Sequence, residues 1–381
     1  MLLDFYRSLF YHPHMSTSVP MSFNITLKPS GKTFTCASNV DVLKAGLANG
    51  ISLRYSCRSG VCRTCRGRLL EGQLDLGNVN PYYLSEQDKA AGYVHLCCAT
   101  PRSDCVVEAD EIDVSLAPAM QLPVRVMKLE KLAPDVMQVV IGLPSNEPLK
   151  YLAGQYVELL LQGGINRSYS IASAPTTEGL RQIELHVRHM PGGVFTDRVF
   201  GSLKLRELLR IEAPHGFFYL DEQSDKPMVM LASGTGFAPI KAIIEYSLQK
   251  KMARPIHLYW GGRKREDIYM DELANNWARD YPHIRYTPVL SDATEACAWQ
   301  GRRGFVHKAV MEDYPNLAGC QVYACGAPVM VEAARHDFTN LCSLPEDQFF
   351  ADSFVTEADK ARAAAPQTII NKVITLENSN A

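Results

Sequence analysis

The sequence predicts a multidomain chain of mixed α+β and α/β class, in which a small β-rich unit precedes an antiparallel β-barrel and a doubly wound parallel sheet. Three observations carry this. The stretch CRSGVCRTC, Cys57 to Cys65, packs three cysteines into nine residues at the spacing Cys-x4-Cys-x2-Cys. From Val124 to about Leu220, short β-prone runs are punctuated by Gly and Pro, as in a small barrel. From Lys226 onward, apolar strand-like runs alternate with segments of helical period, as in a parallel sheet flanked by helices.

The 381 residues suffice for two or three domains, each with its own core. A net charge of −2 gives no general electrostatic case for nucleic acid or another polyanion. No apolar run approaches the roughly 20 residues that span a bilayer, so no membrane span is expected. The start, MLLDFYRSLFYHPHMSTSVP, is interrupted by Asp4 and Arg7 and lacks the basic flank and cleavage site of a secretory signal. Residues 1–21 are therefore expected to be a mobile extension, with Met15 or Met21 as alternative starts. The expected compartment is the cytoplasm, where reducing conditions exclude a disulfide cage among the eleven cysteines.

The first unit, 22–115, opens with FNITLKPSGKTFTC, two alternating runs joined by a Pro-Ser-Gly turn, hence a hairpin. NVDVLKAGLANG has helical spacing and ends at Gly50. After the cysteine loop, RGRLLEGQLDL predicts a strand pair, LSEQDKAAG a short helix capped by Ser85, and HLCCATP and CVVEA further strands. SLAPAMQLP is expected to be a linker over 116–123. VRVMKLEKLA, VMQVVIGL, QYVELLL, RSYSIASA, QIELHVRH and LLRIEAP are the strands of the barrel unit, 124–224. In the last unit, 225–356, MVMLAS, IHLYWGG, IRYTPVL and CQVYACGAP alternate with helical segments, and residues 357–381 are expected to be a loosely ordered tail.

The cysteine spacing decides among three chemistries. Structural zinc sites take paired Cys-x2-Cys or Cys/His hooks, whereas this chain has one such hook, a third cysteine five residues earlier and HLCCATP some thirty residues on. Cys-x4-Cys-x2-Cys followed by a distant cysteine is the plant-type [2Fe–2S] ligand spacing. Unligated buried thiols are the remaining alternative.

With these residues in view, 22–115 resembles a plant-type ferredoxin (β-grasp) domain. The two units after it resemble the FAD and nicotinamide domains of the ferredoxin–NADP reductase superfamily. Together they are similar to single-chain reductase components of oxygenases, and above all to CDP-6-deoxy-Δ3,4-glucoseen reductases, through RSYSIA, HVRHMPGGVFTD, LASGTGFAPIKAI, YWGGR, VYACGAPVM and FFADSF. The resemblance implies that Cys57, Cys62, Cys65 and Cys97 are the metal ligands, Cys97 rather than Cys98 because the family has Cys-Gln-Ala-x-Pro there. Arg63 stands where the family has Gly, so any left-handed backbone at that position falls on an arginine.

In RSYS, the Arg167 guanidinium can pair with a pyrophosphate, Tyr169 can cover an isoalloxazine and Ser170 can hydrogen-bond near its redox-active nitrogen. An exposed edge strand is the plain alternative. PGGVFT offers the backbone N–H groups of Gly192, Gly193 and Val194, with the Thr196 hydroxyl, to a phosphate, unless it is a simple glycine turn. Gly234, Thr235 and Gly236 open a helix after an apolar strand and can hold the pyrophosphate of a dinucleotide. The resemblance sets Cys325, with Gly326 and Pro328, near the nicotinamide and Phe354 beside the flavin; a buried thiol and a core phenylalanine are the rivals. Arg263, Lys264 and Arg265 could meet a 2′-phosphate or form a solvated turn, and the resemblance favours NADH, with NADPH possible.

A [2Fe–2S] cluster, FAD and NAD(P)H in one chain imply hydride in and single electrons out, with Cys325, Ser170 and Phe354 at the reacting end. The implied protein acceptor is an oxygenase, of which a Rieske type would fit, or a pyridoxamine-phosphate dehydrase of deoxysugar synthesis. The alternative is a redox-sensing or scaffold protein that keeps the fold without turnover.

Overall fold

In the middle of the molecule, the strand Met228–Ser233 is buried on both faces, which is why MVMLAS reads as an unbroken apolar run. Met228, Met230 and Ala232 pack into one core with Phe237, Ile240 and Trp260, while Val229 and Leu231 pack into a second with Val310, Val322 and Phe338. The computed structural model describes residues 20–111, 119–294 and 297–355. Most of the 1–21 extension, residues 112–118 (the end of the first unit and the start of the expected 116–123 linker) and the 357–381 tail lie outside the described residues.

Three main sheets build the fold. In the first, the Ser22–Lys28 and Thr33–Ala37 hairpin is extended by Cys105–Glu108, Arg66–Glu71 and Tyr93–His95, with the Val42–Ala48 helix against it. Asp41 caps that helix, and Ser85 with Asp88 forms a capping box on Glu86–Ala90. RGRLLEGQLDL does not pair with itself. Arg66–Glu71 lies between Tyr93–His95 and Cys105–Glu108, and Leu74–Asp75 instead pairs with Thr100–Pro101. Arg66–Glu71 is drawn instead into the main sheet, where Gly67 pairs with Val94 and Leu69 with Val107.

The second sheet has six antiparallel strands, and an isolated Ile171–Leu185 bridge brings its two edges together into a barrel-like form. Here the expectation of a linker over 116–123 is corrected for its last four residues, 120–123. Met120–Pro123 begins the long strand Met120–Ala133 and pairs with Arg210–Ala213. Leu122 and Val124 alternate inward with exposed Gln121 and Pro123, so the pattern is already that of a strand, with its proline facing out.

The third sheet is parallel throughout, in the order 302–303, 284–290, 256–262, 228–233, 321–326, 349–353. After Met228–Ser233 the chain runs first to one side, then crosses to the other at Gln321–Gly326. That reversal opens a crevice at the carboxyl ends of adjacent strands, where such sheets bind ligands. A Cβ on Gly236 would lie 2.1 Å from the Cys325 carbonyl oxygen, so the turns at 234–236 and 325–327 meet through bare backbone. Gly236→Ala should therefore destabilise this sheet by about 1–3 kcal/mol, as overpacking does. An unchanged midpoint for its urea transition would show that the two turns have room to part.

Candidate redox site

The cysteine loop curls through left-handed backbone at Arg58, Gly60 and Arg63 (φ +51°, +73° and +60°). Arginine thus carries the strained conformation that glycine would adopt freely. Cys57 and Cys62 lie close enough to shift each other's thiols: the neighbouring Cys62 pushes Cys57 up, and Cys57 holds Cys62 down, at about 6. Cys65 neighbours Cys97, which arrives from the turn after His95, and this proximity pushes the Cys97 thiol up. Ser59 N–H donates to Cys57 Sγ at 3.4 Å. Among the described residues, no three cysteines bring their sulfurs within 4.8 Å of one another. A single tetrahedral zinc would draw its sulfurs to about 3.8 Å. Two separate pairs instead suit a dinuclear [2Fe–2S] centre, one pair to each iron. Cys98 Sγ lies 3.6 Å from Cys97 Sγ but sits against Gly60 and Val79.

The loop lies where all three domains meet. Tyr156 of the barrel donates its hydroxyl to Ser56 O at 3.3 Å, and Ser56 Oγ donates to Asp352 Oδ1 on the last strand of the parallel sheet. Burial raises the Asp352 carboxyl to about 6 against the pull of that hydrogen bond. On the barrel side, Arg58 Nη1 donates to Glu158 at 2.9 Å and its Nη2 lies 3.3 Å from His215 Nδ1. Glu158, Glu212 and His215 have ligand atoms within 4.8 Å of one another, but the Arg58 guanidinium already occupies Glu158. On the nicotinamide side, Arg335 donates to Cys62 O at 3.0 Å, Thr64 to Ala351 O at 3.3 Å, and Arg63 pairs with Glu332 at 2.7 Å.

Opposite Tyr156 across the barrel strands sits Ser170, buried with no hydrogen-bond partner for its hydroxyl. Such an atom is costly in a protein interior and suits the polar edge of a flavin ring. Three residues earlier, Arg167 Nη1 donates to Asn166 O at 2.9 Å; Tyr169 tilts against Phe195, with centroids 5.4 Å apart. PGGVFT differs from the expectation in detail. Gly192 N–H donates to Asp197, Gly193 N–H to Met190 O, and the Thr196 hydroxyl braces Met190 from both sides. What remains for a phosphate is the start of the Val194–Gly201 helix, which has no side-chain cap.

Phe354 N–H donates to Gly326 O at 2.9 Å, placing the aromatic beside the Cys325–Pro328 turn. Cys325 is fully buried, and burial pushes its thiol well up, so it stays protonated. Ser233 Oγ accepts from Ala327 N–H and ties this turn to Gly234–Gly236. Sequence reasoning missed Arg188, which reaches the same place from the barrel. Its guanidinium lies about 3.5 Å from where a Gly234 Cβ would be. One arm donates to Asp267 at 2.9 Å, while Nε and Nη2 are buried and unpartnered, a fit for a dinucleotide phosphate. The arginine in HVRH was visible in the sequence; only the fold turns it toward the glycine turn. Arg263 and Lys264 line a cavity of about 240 Å3 with four acids, Asp135, Glu266, Asp267 and Asp292.

Three family descriptions match in order: a 2Fe-2S iron-sulfur cluster binding domain over residues 25–102, an oxidoreductase FAD-binding domain over 123–219 and an oxidoreductase NAD-binding domain over 230–336. CDP-6-deoxy-L-threo-D-glycero-4-hexulose-3-dehydrase reductase of Yersinia pestis is 41% identical over 341 residues, covering 88% of this chain and 99% of that protein. The phenol 2-monooxygenase reductase component DmpP of Pseudomonas is 32% identical over 93% of this chain and 100% of its own length. The crystal structure of the Amycolatopsis cytochrome P450 reductase GcoB superimposes with a TM-score of 0.70 at 33% identity, covering 88% of this chain and 99% of that one. Among the described residues no helix is long and apolar enough to cross a membrane. The chain therefore belongs to the family of electron-transfer reductases that join a 2Fe-2S domain to FAD- and NAD-binding oxidoreductase domains.

Proposed function

We propose that Cys57, Cys62, Cys65 and Cys97 hold the cluster, and that this cytoplasmic reductase takes electrons from NADH and delivers them to an oxygenase or a sugar-nucleotide dehydrase. The observation that carries this is the meeting of Ser56, Tyr156 and Asp352, which joins the cysteine loop, the Ser170 strand and the Phe354 strand at one buried point. When bound, the nicotinamide supplies a hydride, FAD divides its two electrons, and the cluster carries them singly. The chain's own part is to place these groups and keep water away. Ser170 presents a hydroxyl to the flavin edge, and Phe354 covers it beside the Cys325 turn. Arg188 and the 234–236 turn hold the dinucleotide phosphates. The acceptor classes are those that the relatives' names state for themselves, a hexulose dehydrase and a phenol monooxygenase.

The four acids around Arg263 and Lys264 support NADH over NADPH, because a 2′-phosphate dianion there would meet more negative than positive charge. Asp267 also accepts from the backbone N–H groups of both residues, at 2.8 and 3.0 Å, which leaves their turn already braced.

In the full chain, Cys65→Ser or Cys97→Ser should abolish the cluster's visible absorbance, retain flavin, and still oxidise NADH with ferricyanide while failing with cytochrome c. A cluster kept by Cys97→Ser and lost by Cys98→Ser would move the fourth ligand to Cys98. NADH should exceed NADPH in kcat/KM; a preference for NADPH that Arg263→Ala abolishes would refute the acidic-rim argument. Arg188→Ala removes a charge-assisted contact worth about 1.5–3 kcal/mol, so KM for NADH should rise roughly ten- to hundredfold with flavin content unchanged. An unaltered KM would take Arg188 out of the dinucleotide site.

A further inference from the structure

Arg63 occupies a left-handed position, with φ +60°, where a glycine would be unstrained. Its guanidinium reaches Glu332 at 2.7 Å, and Glu332 is only 5% exposed. Glu332 lies on the helix Pro328–Leu341, which begins directly after the Cys325–Ala327 turn. Three residues further along that helix, buried Arg335 donates to the carbonyl of Cys62 at 3.0 Å and lies over the Phe349 ring at 4.5 Å. Arg63 also donates to Tyr82 O at 3.3 Å, which holds the loop's outer side to its own domain. The helix that opens at the nicotinamide turn thus grips the cysteine loop from beneath, through one ion pair and one charge-assisted hydrogen bond.

We propose that the Arg63–Glu332 ion pair is a positioning latch that holds the cluster loop against the nicotinamide domain and thereby sets the rate of electron transfer from flavin to cluster. It rests on the reading of the clustered cysteines as iron ligands. The electron balance is simple. NADH would give its hydride to the bound FAD and leave as NAD+; of the two electrons, one would pass to the cluster and the other would stay with the flavin until an acceptor protein empties the cluster, while the proton goes to solvent. No proton needs to cross the Arg63–Glu332 contact. The rate of electron transfer falls exponentially with the distance between donor and acceptor, so a loop that parts from its neighbour by a few ångströms slows the step.

A mere effect of charge on the cluster can be told apart from a latch by sign. Removing the arginine's positive charge makes the cluster harder to reduce, whereas removing the glutamate's negative charge makes it easier. Charge alone would therefore slow transfer in Arg63→Gly and speed it in Glu332→Gln. A latch predicts that both slow it, because either change breaks the same pair and leaves a lone buried charge that favours undocking.

The experiment uses the full chain loaded with FAD and cluster, with iron and flavin content measured for each variant. Rapid mixing with NADH follows flavin bleaching and cluster bleaching separately, and small-angle scattering reports domain separation without any turnover. Glu332→Gln and Arg63→Gly are expected to keep flavin bleaching near the wild-type rate, slow cluster bleaching by about tenfold or more, and enlarge the radius of gyration. Arg63→Lys, which keeps a cation within reach of Glu332, is expected to recover most of the rate. Cluster bleaching in Glu332→Gln that is unchanged or faster, with full iron content, would overturn the latch. So would loss of iron from Glu332→Gln, which would make the pair a prop for the loop's fold. A wrong choice of ligands would surface instead in the Cys→Ser spectra, since Glu332→Gln keeps every cysteine.

Discussion

Burial of the cysteine loop at the junction of three domains is the constraint from which most of the architecture follows. Ser56 lies in contact with the barrel through Tyr156 and with the parallel sheet through Asp352, one residue before Cys57. Phe217 N–H donates to Tyr55 O at 2.9 Å, and the two rings meet edge to face at 5.0 Å, which adds a second seam to the barrel. The 2Fe-2S domain is thus not a bead on a string. Its prosthetic loop is part of the interior that the other two domains share, and an acceptor protein must approach it from the sides that remain open.

Such a junction cannot be held by apolar packing alone, because a loop that presents backbone N–H groups to sulfur leaves its carbonyl groups pointing outward. Cys62 O and Ser56 O find donors in Arg335 and Tyr156, residues of the two other domains. Buried charges are seldom an efficient source of stability, since desolvation offsets much of their attraction. What they supply here is a defined docking geometry. Arg58 with Glu158 fixes the loop to the barrel, Arg63 with Glu332 fixes it to the parallel sheet, and Lys241 ties that sheet to the barrel through Ala172 O and Glu184. Beside that last contact, burial keeps His186 neutral while its Nδ1 meets the Tyr269 hydroxyl at 2.8 Å, so the seam stays hydrogen-bonded without a further buried cation.

Much of this was legible in the sequence where a local pattern carried it. Cys-x4-Cys-x2-Cys reports loop geometry directly, and the uninterrupted MVMLAS reports a strand covered on both faces. The hairpin at Pro29-Ser30-Gly31 and the Ser85 cap are likewise local. What stayed hidden depends on long-range placement. Leu74–Asp75 pairs with Thr100–Pro101 because of the sheet's closure, not its own residues. Pro123 concealed the start of a strand whose alternation begins at Met120. Arg188, Glu332 and Arg335 are unremarkable cations and an acid in their own segments; their meaning comes from what the fold sets opposite them.

Ser170 Oγ, Ser353 Oγ, and Nε and Nη2 of Arg188 are buried polar atoms without a protein partner. An interior polar group left unsatisfied costs about 1–3 kcal/mol, so a chain that keeps several in one region bears that cost for a reason outside its own folding. Their order along the fold is informative. Arg188 stands at the glycine turn of the parallel sheet, Ser353 next to Phe354, and Ser170 across from Tyr156, which touches the residue before Cys57. These groups thus run from the proposed dinucleotide site, past the proposed flavin edge, toward the cysteine loop, where Nε of Arg63 and of Arg335 are unsatisfied as well. Arg188 stands on that path and is itself anchored by its ion pair with Asp267. One arginine can both hold still and bind: Arg188 is held by Asp267 through one arm while its Nε and Nη2 stay unsatisfied, so the contact that fixes the side chain also aims its free donors at the glycine turn.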